Sequence, residues 1–359
     1  MAKKALIAMS GGVDSSVAAL LMKEKGYDCT GVTMKLYDND DIGVSRDQTC
    51  CSVDDIEDAR RVAYQIGIPY YVVNFKEDFK NRVMDRFVDS YMKGWTPNPC
   101  IECNRYLKFE HLYQTAKELE CDVIVTGHYA QIVEEQGRYI MKKAVDSTKD
   151  QSYVLYSLPR EQLPHTCFPL GAITKEQVRK IAEAHGFINS KKRDSQDICF
   201  IPDGNYKRFM EEEYGVSVGS GDFVDKEGKV LGHHRGYYGY TIGQRKGLGI
   251  AAEKPYYVVD IVPEKNQVML GSNDDLFRKT LIAEHMNWMV DEAEIISGRM
   301  IQAKVRYRQQ AQDAYVERIE HDKARITFLE PQRAITKGQA VVLYQDDTVL
   351  GGGTIAEVI

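Results

Sequence analysis

Three hundred and fifty-nine residues exceed what one compact core accommodates, so two or three domains are expected. The composition, 43% hydrophobic and 28% charged, is that of an ordinary globular chain, and no apolar run approaches the roughly 20 residues of a membrane span, so no membrane partner is expected. Lys plus Arg totals 47 against 53 Asp plus Glu, a net charge of −6 that excludes a surface coated in basic side chains for DNA or for nucleic acid at large. Met1-Ala2-Lys3-Lys4 runs straight into a strand-like segment with no signal-peptide core, so a cytoplasmic location is expected. In that compartment the eight cysteines point to metal or redox chemistry rather than to structural disulfides.

Residues 4–9 read as a short buried strand, and 13–25 carry apolar residues at helical spacing up to Gly26. A strand over 29–34 follows. A helix over 54–66 starts with acidic residues and stops at Gly67. A strand over 70–75, helices over 77–92 and 107–119, and a strand over 123–126 complete an α/β series. Such alternation implies a parallel sheet with helices on both faces and a ligand at the carboxyl ends of its strands. After about Asn205 glycines cluster and short alternating stretches replace the helices, which predicts a small β-barrel or sandwich. The expected domains are 1–205, 206–273 and 274–359.

Between the first strand and first helix stands Ser10-Gly11-Gly12-Val13-Asp14-Ser15-Ser16. Paired glycines let the backbone N–H groups converge on an anion, and the serines add donors at a helix amino end that favours phosphate. Asp14 would repel that phosphate unless a divalent cation lay between them, so Mg²⁺ is expected there. No Walker loop occurs in the chain.

The string Trp95-Thr96-Pro97-Asn98-Pro99-Cys100-Ile101-Glu102-Cys103-Asn104 is expected to be an extended loop, because proline disfavours helix. Its Cys-x-x-Cys admits three readings: zinc, which wants four ligands and finds no second pair; a dithiol, which fits its position poorly; or sulfur chemistry with a distant partner. The partner candidate is Cys199, preceded by Lys191, Lys192 and Arg193, cations that would lower a thiol pKa; a buried structural cysteine is the bland alternative. Cys29, Cys121 and Cys167 read as packing residues, and the role of Cys50-Cys51 is open.

The glycine–serine loop resembles that of the PP-loop ATP pyrophosphatases, which adenylate a substrate. With Met34-Lys35, Thr96–Pro99, Cys103-Asn104, Thr126-Gly127-His128-Tyr129, Lys149-Asp150-Gln151-Ser152-Tyr153, 197–201 and Gly243–Gly249 in order, the whole chain resembles the tRNA-specific 2-thiouridylase family. The resemblance implies a PP-loop (adenine nucleotide α-hydrolase-like) catalytic domain, a small central domain and a C-terminal β-barrel. It implies ATP-dependent 2-thiolation of the wobble uridine in the tRNAs for Glu, Gln and Lys, with sulfur supplied by a cysteine desulfurase or relay protein. Ala8, Met9, Ser10, Gly11, Gly12, Val13, Asp14, Ser15, Met34 and Gly127 would bind ATP. Cys199 would carry a persulfide, and Cys103 would be the second catalytic cysteine. Asn98, Pro99 and Cys100 would meet the target base, and His128, Lys149, Asp150, Gln151, Tyr307, Arg308 and Gln339 would contact tRNA. Cys100 stands where many members carry aspartate; with Cys103 and Cys199 it makes a possible ligand set for a [4Fe–4S] cluster.

Local charge refines the total. Residues 141–210 carry +4 and residues 37–62 carry −5. Lys304, Arg306 and Arg308 alternate as if on one strand face, a plausible phosphate stripe in this family. Tyr237, Tyr238 and Tyr240 either stack on bases or fill a small β core, the core being the better reading. Two other functions compete: a small-molecule adenylating ligase of the same loop family, which would not need Cys103 or Cys199, and a zinc-bound RNA-binding module, which leaves the glycine nest unexplained.

Overall fold

A computed structural model of the chain describes residues 2–43, 53–192, 198–291, 294–295 and 298–359. The chain divides into two compact units, one of Met1–Met84, Pro99–Gly204 and Asp347–Val349, the other of Asp85–Asn98, Asn205–Asp346 and Leu350–Ile359.

The first unit is built on five parallel strands: β1 (Lys4–Ala8), β2 (Asp28–Lys35), β3 (Tyr70–Asn74), β4 (Val123–Val125) and β7 (Thr166–Cys167), in the order β3-β2-β1-β4-β7. Between β4 and β7 the chain forms an antiparallel hairpin, β5 (Gln131–Glu135) with β6 (Arg138–Lys142). β1 is the central strand, and its side chains alternate between two cores. Ala5 and Ile7 pack with the buried helix α1 (Val13–Glu24), whereas Leu6 and Ala8 pack with Val32, Leu112, Ala116 and Ile124. Strands β2 and β3 lie on one side of β1, and β4 and β7 on the other. The order therefore switches direction beside β1, and the turns after β1 and β4 open at the crevice where such sheets hold ligands.

One expectation is corrected here. Pro97 does lie outside helix, but Pro99 opens one, at the first helical position, where a missing N–H leaves nothing unsatisfied. The helix runs Pro99–Glu102, then as a π-helix over Cys103–His111, then Leu112–Glu118. Cys100 and Cys103 are thus helical, one turn apart.

The second unit contains a four-stranded sheet, β8 (Ser220–Val224), β9 (Val230–Arg235), β10 (Tyr257–Val262) and β11 (Gln267–Gly271), in the order β10-β11-β8-β9. It also contains a six-stranded barrel. β12 (Phe277–Trp288), β15 (Lys323–Arg333), β14 (Gln312–Glu320), β13 (Arg299–Lys304), β16 (Ala340–Gln345) and β17 (Thr348–Val358) follow one another in that order, and β17 pairs back onto β12 to close the ring. Alternate residues such as Leu281, Ile301, Ala303, Val316, Ile326 and Leu343 fill its interior. Tyr237 and Tyr238 are buried, with hydroxyls donating to the Met92 carbonyl and to Glu211, so they are core. The expected charged strand face fails: β13 ends at Lys304, Arg306 turns in to donate to the Ala334 carbonyl at 2.7 Å, and Tyr307 and Arg308 are exposed on a turn.

Candidate active site

The turn after β1 is tightly built. The Ser10 amide donates to Ser15 Oγ at 3.1 Å, and the hydroxyls of Ser15 and Ser16 donate to the Gly12 carbonyl at 3.1 and 3.0 Å. Gly11 has φ +75°, and a Cβ there would fall inside contact distance of the Asp55 backbone carbonyl, so glycine is required twice over. Asn189 Nδ2 donates to the Gly11 carbonyl and to Ser16 Oγ, both at 2.9 Å. Ala8 and Met9 are buried in the sheet, and Met9 exchanges its backbone bonds with Val32 and Thr33. Met34 lies near the carboxyl end of β2.

The phosphate-loop carboxylate has partners that sequence reading missed. Lys175 Nζ donates to both oxygens of Asp14, at 2.7 and 2.8 Å, and Tyr129 OH donates to Oδ1 at 2.7 Å. Lys175 is itself buried. The positive charge assigned from sequence to Mg²⁺ is thus supplied by a lysine 161 residues away. Nearby, Lys192 Nζ joins Asp55 and Asp58, at 2.5 and 2.7 Å. Lys175 and Lys192, two of the bases in the 141–210 sum, are therefore each paired with acids of the fold.

The turn after β4 lies against the same loop. A Cβ on Gly127 would come within 2.7 Å of the Ser15 nitrogen and 2.8 Å of the Asp14 carbonyl carbon, so only glycine permits the approach. The next residue, His128, faces the cysteine helix. Lys108 Nζ lies 3.2 Å from His128 Nε2, and Thr126 Oγ1 lies 2.6 Å from Nδ1. An ammonium only donates, so Nε2 accepts and the ring proton sits on Nδ1, donating to Thr126. Burial, then the Lys108 charge, holds the His128 pKa well below its ordinary value. His128 therefore lies beneath the surface as a neutral ring, beside Phe109 and Phe168.

Lys108 also acts on the thiols, and helix winding explains how. In an α-helix residue 108 would sit about 140° around from residue 103, at about 100° per residue. The wider π winding, about 4.4 residues per turn, brings the two within about 50°. Crowding by protein atoms raises the Cys103 thiol, and the Lys108 charge pulls it back. Cys100 keeps an exposed edge, yet crowding and the neighbouring Cys103 push its thiol up to about 11, against the pull of Lys108. Cys29 is buried, and burial pushes it to about 11, as for a packing residue.

Cys199 sits in a turn closed by the Ile201 amide on the Ile198 carbonyl, at 2.8 Å. Its own carbonyl accepts from Tyr37 OH at 2.8 Å, and buried Phe200 meets Phe79 edge-on at 5.6 Å. The cations expected to activate it are not all available: Lys192 is held by Asp55 and Asp58, and Arg193 lies outside the described residues, as do Cys50 and Cys51. Among the described residues no three His, Cys, Asp or Glu side chains form a group that could hold a metal ion, so Cys100, Cys103 and Cys199 are not gathered there as the three ligands of a cluster.

The expected RNA contacts are placed as follows. Asp150 builds its own turn, accepting from the Ala144 and Ser152 amides and the Ser152 hydroxyl. Gln151 exchanges two bonds with Tyr129, its Oε1 accepting from the Tyr129 amide at 2.9 Å. In the second unit, Gln339 Nε2 donates to the Thr96 and Pro97 carbonyls at 2.9 and 3.2 Å, so it fixes the stretch that leads into Asn98.

Three family profiles match the chain. The profile described as the tRNA methyl transferase HUP domain covers residues 3–203, the tRNA methyl transferase PRC-barrel domain 207–272, and the aminomethyltransferase β-barrel domain 278–355. A tRNA-specific 2-thiouridylase MnmA of Clostridioides difficile is 50% identical over 99% of this chain and 98% of its own length. One from Carboxydothermus hydrogenoformans is 50% identical over 98% and 97%. The chain belongs to the tRNA-specific 2-thiouridylase family. Within that family frame, Lys175, Tyr129, Asn189 and Lys108 are the residues that motif reading did not single out for the site. Lys175 and Asn189 meet partners more than 160 residues away in the chain. The one available signal was the acidic loop residue Asp14, which demanded a cation.

Among the described residues no helix is long and apolar enough to cross a membrane.

Proposed function

We propose that this thiouridylase-family chain uses ATP to replace the 2-oxygen of the wobble uridine with sulfur in the tRNAs for Glu, Gln and Lys. The observation that carries the reading is the Gly127–His128–Tyr129 turn. Its first and third residues touch the phosphate loop, while its second touches the lysine beside Cys103. One turn thus serves both an adenylation half and a sulfur half.

In this reading the uracil 2-oxygen attacks the α-phosphorus of ATP and pyrophosphate leaves into the glycine nest. Lys175 keeps Asp14 from repelling that pyrophosphate. The terminal sulfur of a Cys199 persulfide, loaded by a cysteine desulfurase or relay protein, then attacks C2 and AMP departs. The Cys103 thiolate attacks the Cys199 sulfur, breaks the sulfur–sulfur bond to the base and frees the thiouridine. The Cys103–Cys199 disulfide that remains is returned to two thiols by an external thiol reductant. Release of hydrosulfide from the persulfide by Cys103, with hydrosulfide as the attacking group, gives the same product. Any Mg²⁺ would accompany the triphosphate rather than reside on Asp14.

Cys199→Ser tests the reading: thiolation of an unmodified glutamate tRNA transcript should vanish while ATP and tRNA binding persist. Retained thiolation refutes it. Iron and acid-labile sulfide measured after anaerobic purification should be absent from active protein; stoichiometric iron tracking activity would replace the persulfide route with a cluster.

A further inference from the structure

Around Asp14 the hydrogen bonds close into a ring that passes through the proposed RNA-contact loop. One limb leaves Asp14 through Lys175 Nζ, and the Lys175 backbone amide donates to Asp146 Oδ2 at 3.0 Å. Asp146 starts the loop that carries Lys149–Gln151. Its Oδ1 accepts from the Thr148 amide and hydroxyl, at 3.1 and 2.6 Å, and its carbonyl accepts from the Lys149 amide at 3.0 Å. The other limb leaves Asp14 through the Tyr129 hydroxyl at 2.7 Å. The Tyr129 backbone then holds Gln151 by two bonds, carbonyl to the Gln151 amide at 2.8 Å and amide to Gln151 Oε1 at 2.9 Å. Both ends of the loop 146–151 are therefore anchored to the same carboxylate of the phosphate loop.

We infer that Tyr129 and Asp146 are positioning residues that couple RNA binding at Lys149–Gln151 to nucleotide binding at the Asp14 loop. The inference rests on the proposed reading that this loop meets tRNA. Directional bonds at both ends leave the loop little freedom to shift without moving Lys175 or the Tyr129 hydroxyl relative to Asp14. Asp14 in turn opens helix α1 beside the glycine nest, so a shift there changes where charge sits next to the phosphates. The donors on Asp146 hold its carboxyl below the usual carboxylate range, the Lys175 amide foremost, so that limb is charged and firmly held at neutral pH. Whatever factor RNA imposes on nucleotide affinity, nucleotide imposes on RNA affinity.

The test measures the dissociation constant of α,β-methylene-ATP, which cannot be cleaved at the bond in question, with and without a saturating unmodified glutamate tRNA transcript. The ratio of the two is taken within each variant, so a change in nucleotide affinity alone cancels. The full-length wild-type protein should show a ratio of at least about five, within the usual range for coupled sites. Tyr129→Phe removes one hydroxyl, and Asp146→Ala cuts the other limb; each should bring the ratio to about one, with the reciprocal measurement of tRNA affinity agreeing. Melting temperatures of both variants establish that they are folded, and either alone suffices if the other is not. A folded variant that keeps the wild-type ratio overturns the role of its limb, and a wild-type ratio of one overturns the inference entirely. Failure of the wild type to bind the nucleotide or the transcript at all would instead sink the underlying functional reading.

Discussion

The two halves of the site in the first unit differ in how finished they are. On the proposed nucleotide side, the loop carboxylate is already compensated. Asp14 is held by Lys175, and Lys192 is held by Asp55 and Asp58, all groups of the chain itself. On the proposed sulfur side the reverse holds. The thiols of Cys100 and Cys103 are raised by crowding, His128 is kept neutral, and Lys108 is the cation that works against the thiols' protonation. In the proposed reading, a nest for phosphate gains from being rigid and already balanced in charge, because its ligand would arrive ionised. A thiolate that stood ready at all times would be oxidised or alkylated, so a site that keeps it protonated until substrate arrives is the safer arrangement.

The contrast can be broken from the nucleotide side first. Gly11→Ala puts a Cβ against the Asp55 carbonyl at a left-handed φ, a strain on the order of 2–4 kcal/mol at the nest itself. ATP binding by calorimetry should fall more than about 100-fold. Lys175→Met strands Asp14 beside the phosphates and should weaken ATP about 10-fold, while adenosine binding holds; adding Asp14→Asn should recover part of the loss.

The sulfur side should respond through pH. Lys108→Met removes the charge that lowers the Cys103 thiol, so the midpoint of its alkylation by iodoacetamide should move to higher pH, and Lys108→Arg should restore it. The smallest effect concerns stability. His128 titrates at its ordinary value when unfolded but well below it when folded, so the unfolded state takes the proton first as pH falls. Stability is therefore fully present above about pH 6.5 and declines as pH drops toward the folded value. The melting temperature of wild type should fall more between pH 7.5 and 5.5 than that of His128→Asn; equal slopes would mean that the buried ring does not govern the dependence.

Much of this could be read from the chain, and the remainder failed for definite reasons. The glycine–serine loop was legible because its chemistry is local: the glycines, hydroxyls and carboxylate that make it are consecutive. The parallel sheet was legible from alternation. The helix at Pro99 was misread because proline both breaks helices and begins them, and only the third dimension decides. The π winding of Cys103–His111 has no propensity signal, yet it is what brings Lys108 round to Cys103. Lys175 and Lys192 were visible as charges but not as partners, since their acids lie 161 and 137 residues away. Summing charge along a window counted both as free surface, whereas Lys175 is buried and half-buried Lys192 is paired with two acids.

The six-stranded barrel has a consequence of its own. Its ring is closed by the pairing of β17 with β12 and β16, and the segment from Leu350 onward supplies that closing strand. Shortening the carboxyl end by ten residues would leave two neighbouring strands with unpaired amides and carbonyls facing water, an invitation to sheet-to-sheet self-association. An affinity handle for this protein therefore belongs at the amino end, where β1 already has neighbours on both sides.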